Sequence, residues 1–112
     1  MSEVRMDAEA RFDEILDELA PHGALPGALF GSRSLTYEGR AFASFRRERM
    51  AVKLDADTAP HSEALALPGA EPFDPSGKGR PLKDWVMVPA GQSDSWRRLA
   101  AAGLDAMRDD SR

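Results

Sequence analysis

The stretch ALFGSRSLTYEGRAFASFRRERMAVKLD, residues Ala28–Asp55, holds three short runs of alternating polarity separated by two turn signals. SLTY and RAFASF flank Glu38-Gly39, where the glycine supplies the positive φ that a two-residue hairpin needs. Arg46-Arg47-Glu48-Arg49 reads as a second turn. MAVKL follows, with Met50, Val52 and Leu54 inward and Ala51 and Lys53 outward. In RAFASF a period of two sets Phe42 and Ser44 on one face and Ala41, Ala43 and Phe45 on the other, so an inner strand is expected. The three strands therefore read as an antiparallel meander. The same stretch carries Arg33, Arg40, Arg46, Arg47, Arg49 and Lys53, six of the fifteen basic residues of a chain whose net charge is -4. Either this surface meets an anion, or it is solvated and pairs with the chain's own acids.

Working outward, DAEARFDEILDELAPHG predicts a helix. Phe12, Ile15, Leu16 and Leu19 form an apolar stripe, Asp7 is placed to cap it, and Pro21 and Gly23 mark its stop. Asp13, Glu14, Asp17 and Glu18 fall on the opposite, solvated face. GALPGALFG reads as a Gly- and Pro-punctuated lead into the sheet, not as a strand of it. DADTAPHSEALALPG predicts a short helix capped by Thr58 and ended before Pro68-Gly69. AEPFDPSGKGRPL is a loop by composition, with Phe73 as an anchor. DWVMVP reads as a fourth strand, with Trp85 and Met87 on one face and Val86 and Val88 on the other. A last helix is expected from about Asp94 to Arg108, capped by Ser93 and buried along Trp96, Leu99, Ala100, Gly103, Leu104 and Met107. The expected fold is α+β: an antiparallel sheet of about four to five strands flanked by N-terminal and C-terminal helices. Residues 1–112 form one domain, with its core at about 8–108.

At 112 residues and 42% apolar side chains, the chain can bury roughly two-thirds of its extended surface without staples. Cysteine is absent, which removes disulfides, thiolate chemistry and thiolate zinc sites. MSEVRMDAEA has no apolar h-region, and no window approaches the roughly 18 apolar residues of a membrane span. A cytoplasmic protein with no membrane partner is the expectation.

The sequence carries few signatures of chemistry. His22 sits in a helix-ending loop and His61 in a short surface helix, so structural or solvated roles are expected for both. No HExxH or carboxylate spacing builds a metal site, and no cofactor is implied. GSRS at Gly31–Ser34 is not the G-x-S-x-G elbow of a serine nucleophile. PSGKGR could present backbone N–H groups and Lys78 to an anion, but it lacks the P-loop pattern and no helix follows it. Arg46, Arg47 and Arg49 cluster at one turn and could contact phosphates. The competing reading is a solvated turn steering toward the acidic first helix or a partner subunit. Single-strand binding further asks for outward aromatics, and alternation commits at least one of Phe42 and Phe45 to the core.

The order of the pieces resembles the N-terminal domain of the TfoX/Sxy family. The resemblance rests on Leu29-Phe30-Gly31, Gly39-Arg40-Ala41-Phe42-Ala43, Val52-Lys53-Leu54, the Gly69–Phe73 bend and Trp85-Val86-Met87-Val88-Pro89. The MmcQ/YjbR-like family shares much of the pattern, notably Lys53-Leu54, Leu67-Pro68-Gly69 and Trp85. The resemblance implies a regulatory or interaction module without catalysis, with a protein partner or a second copy of the chain bound. Full-length relatives of competence-regulator type carry a second domain that these 112 residues have no room for. The alternative is a nucleic acid or phosphate-ligand binder using Arg46, Arg47, Arg49 and Lys78.

Overall fold

The computed structural model describes residues 7–29 and 31–110. Phe30, the centre of the Leu29-Phe30-Gly31 signature, lies outside them. Helix α1 (Ala8–Leu19) starts where the sequence predicts: the Asp7 carboxylate accepts from the Ala10 N–H at 2.8 Å, satisfying one of the helix's unpaired donors. Strands β1 (Leu25–Leu29), β2 (Ser32–Tyr37), β3 (Arg40–Arg46) and β4 (Arg49–Lys53) follow, then α2 (Ala59–Leu65), β5 (Glu71–Phe73), β6 (Leu82–Pro89) and α3 (Trp96–Asp110).

The strands form one antiparallel sheet in the order β1-β2-β3-β4-β6-β5. The α+β architecture with flanking N- and C-terminal helices is as expected, but the sheet has six strands. Both additions come from segments read as loops. LPGAL is an edge strand, where Pro26 is tolerated because an edge leaves one row of backbone groups unpaired. Glu71–Phe73 is the three-residue opposite edge. Short or proline-bearing edges resist sheet-to-sheet association.

The two central turns each span two residues. Tyr37 pairs with Arg40 across Glu38 and Gly39, and Arg46 pairs with Arg49 across Arg47 and Glu48. All four turn residues have positive φ, the backbone pattern whose twist matches a hairpin. Glycine meets that demand once; Glu38, Arg47 and Glu48 meet it against the steric preference of an L-residue.

Strict alternation fails at one point. Leu35 pairs with Ala43 and Thr36 with Ala41, leaving Phe42 without a partner on β2. This bulge turns Phe42 into the same core as Ala43 and Phe45, where a period of two would have separated them. In that core Phe42 meets α3, whose Gly103 comes so near the sheet that a Cβ there would lie 3.0 Å from the Lys53 carbonyl oxygen. The Phe45 ring lies 5.4 Å from Phe12 of α1 and 6.3 Å from Trp96 of α3, so three aromatic rings join sheet and helices.

The opposite face has its own small cluster of Ala51, Phe73 and Met87, with Leu82 and Trp85 against it. Ala51, read as outward, is fully buried there because Phe73 of β5 and Met87 of β6 pack against it. Phe73 is the anchor the sequence suggests, and Trp85 and Met87 share a face as expected. The last helix begins two residues later than predicted. Ala90–Ser95 forms a 3-10 segment interrupted at Gln92, so Ser93 lies inside that segment and does not cap α3. Among the described residues no helix is long and apolar enough to cross a membrane.

Candidate anion-binding cleft

Arg46 and Arg49 face each other as the last pair of the β3–β4 ladder, so the turn fixes both side chains on the sheet face that Phe73 and Met87 occupy. With Arg47 at the tip they border a cleft of ≈ 290 Å³ whose remaining walls include Phe73, Asp74 and Met87. A hollow of ≈ 230 Å³ shares Arg49, Phe73, Asp74 and Met87 with it and adds Glu71. These volumes suit a small charged group and a short apolar body, and fall just below the usual range of ligand pockets.

Each arginine is held differently. The Arg46 guanidinium lies 5.8 Å from the centre of the Phe73 ring, a cation–π contact. Its Nη1 is buried and has no hydrogen-bond acceptor. Arg49 donates to Glu71 at 3.0 Å, reaching across β6 to β5. Arg47 makes no ion pair with the described residues.

The glycine-rich loop behind the cleft does not present its N–H groups to a ligand. Asp74 takes them: one carboxylate oxygen accepts from Ser76 Oγ at 2.9 Å and the Gly77 N–H at 3.0 Å. The other accepts from the N–H groups of Gly79 at 2.8 Å and Arg80 at 3.2 Å. The Ser76 hydroxyl, followed by the Gly79, Gly77 and Arg80 N–H groups, holds the Asp74 carboxyl below its ordinary range. The loop carries an anion, Asp74, within its own sequence, and four of its donors are engaged by it. Lys78 belongs to that loop and does not line the cleft; its backbone N–H braces Ser76 Oγ at 3.2 Å.

The acidic first helix finds its cations elsewhere. Arg33 pairs with Glu9 at 3.1 Å and with Asp13, and sits 5.3 Å from the Phe12 ring centre. Its pKa is raised, chiefly by the hydrogen bond to Asp13. Arg97 of α3 pairs with Glu18 at 2.6 Å, and Arg11 bridges Glu14 and Asp94. Lys53 pairs locally with Asp55. The six basic residues of the central stretch thus divide: Arg33 pairs with α1, Lys53 pairs at its own strand end and Arg40 is exposed at the start of β3, while Arg46, Arg47 and Arg49 gather at the cleft.

His22 is exposed, and His61 Nε2 lies 3.0 Å from the Lys83 carbonyl oxygen. Among the described residues no group of three or more histidines and carboxylates is placed to hold a metal ion. Sequence reasoning missed Glu71 and Asp74. The Asp-Pro-Ser-Gly run is a turn signature whose aspartate bonds to N–H groups ahead of it, a signal that could have identified Asp74. Nothing local could have paired Glu71 with Arg49. No protein-family model, curated protein or solved structure matches this chain.

Proposed function

We propose that this domain is a non-enzymatic interaction module, of the TfoX/Sxy N-terminal type, whose arginine turn receives an anionic group from its partner. The order of helix, hairpin strands, bend and closing helix supports the family reading, with the MmcQ/YjbR-like family as the alternative. One observation carries the anion reading: Arg46, Arg47 and Arg49 line one cleft, with Arg46 5.8 Å from the Phe73 ring centre. Guanidinium groups bordering one cleft attract an oxyanion, and their charge-assisted hydrogen bonds to it are stronger than those of neutral donors. The cleft's own groups suit binding more than catalysis. Guanidinium donates hydrogen bonds without releasing protons near neutral pH, and Ser76 and Asp74 are engaged in bracing the loop. A nucleic acid is less well served: Phe42 is fully buried and Phe45 faces Phe12 and Trp96, so neither offers a stacking surface beside the arginines.

The test is thermal unfolding at constant ionic strength with acetate replacing chloride. Bound anion stabilises the native state by mass action. The midpoint should rise with acetate in the wild type and stay level in Arg46→Ala. Equal behaviour of the two proteins would discard the reading. Stabilisation by DNA alone, lost between about 50 and about 300 mM salt, would transfer the site to a nucleic acid.

A further inference from the structure

Charge around the cleft is nearly balanced. Arg46, Arg47 and Arg49 face the carboxylates of Glu71 and Asp74, three positive groups against two negative, with Glu48 in the turn beside them. Glu71 is committed to Arg49 at 3.0 Å, which leaves Arg46 and Arg47 to meet a ligand. Asp74 remains a full negative charge opposite them, since four hydrogen-bond donors favour its ionised form. Attraction to a site of fixed charge grows in proportion to the ligand's charge, whereas the cost of removing the ligand from water grows with the square of that charge. A strongly positive cleft overcomes that square and takes phosphate. A nearly neutral one favours the singly charged ligand. Arg46, its guanidinium carbon 5.8 Å from the Phe73 ring centre, and Arg47 border the cleft with guanidinium donors that pair with a carboxylate. Phe73 and Met87 offer an apolar wall to whatever carries it.

We propose that the cleft selects a carboxylate borne on a small apolar body over a phosphate, and that Glu71 and Asp74 set this preference. The inference rests on the anion reading above and adds the class of ligand. It is tested by calorimetric titration at pH 7.5 and fixed ionic strength with phenylacetate, singly charged, and phenyl phosphate, mostly doubly charged. The wild type should bind phenylacetate more tightly. Glu71→Gln, which frees Arg49 without altering side-chain size, should shift the ratio toward phenyl phosphate by about two- to fivefold, the range of exposed charge pairs. Asp74→Asn should shift it the same way. Glu71→Gln is the primary variant, because its side chain braces no loop. Tighter binding of phenyl phosphate by the wild type, or a ratio unmoved in Glu71→Gln, would overturn the carboxylate selection and leave the anion cleft standing. Failure of both ligands to bind the folded wild type would overturn the cleft itself. N-acetyl-alanyl-phenylalanine, added as a further ligand, distinguishes the sources. Tighter binding than phenylacetate supports a chain-terminal carboxylate, and weaker binding supports a free small acid.

Discussion

Arg46 and Asp74 show how single residues settle what a composition count leaves open. Arg46 is one of six basic residues in its stretch, and like Arg33 over Phe12 it lies over an aromatic ring, but it does so at the wall of a cleft. Asp74 draws Ser76, Gly77, Gly79 and Arg80 around its two oxygens. Its carboxyl should titrate below the ordinary value of 3.8. The folded pKa is depressed, so the brace contributes its full stability above the unfolded pKa and loses it as pH falls through the folded value. A carbon-detected NMR titration of the Asp74 carboxyl checks this, with amide exchange at Gly79 rising over the same acid range. A midpoint at or above the ordinary value would mean the four donors do not hold the carboxylate. Mutual recognition of this kind is only half-legible in sequence: Asp-Pro-Ser-Gly announces a turn, but not that the turn consumes the donors a ligand would need.

At the scale of elements, the β3–β4 hairpin positions the site and carries strain. Arg47 and Glu48 have φ of 48° and 66°, a region that costs an L-residue roughly 1–2 kcal/mol. Glu48→Gly removes one such cost and gives back part of the gain as unfolded-state entropy, so a net stabilisation of about 0.5–1 kcal/mol is expected in urea unfolding. Arg46, Arg47 and Arg49 are untouched in that variant, so acetate should still raise its melting temperature. Destabilisation would show that Glu48 makes contacts outweighing its strain. The hairpins were readable because turn and alternation agree around Glu38-Gly39 and through MAVKL. The errors also have physical causes. Phe42 breaks the alternation because the bulge rotates it inward. LPGAL and Glu71–Phe73 carry proline and glycine, which argue for loops everywhere except at sheet edges, where these two strands lie.

The whole molecule separates two electrostatic systems across one sheet. On the helix face, Glu9, Asp13, Glu14 and Glu18 of α1 are matched by Arg33, Arg97 and Arg11. On the other face, the β5–β6 hairpin brings Glu71 and Asp74 to the arginine turn and closes a small apolar cluster beneath it. Local sequence shows the arginines but not this division, because pairing across β4, β6 and β5 joins residues more than twenty positions apart. Ligand binding at this site requires the arginine turn to open onto Phe73 and not into bulk water. The most direct measurement is a two-dimensional ¹⁵N NMR titration of the wild type with phenylacetate. Amide shifts should concentrate at residues 46–49 and 73–77 and vanish in Arg46→Ala. Shifts centred on α1 or α3, or a pattern unchanged by that substitution, would contradict binding at this site.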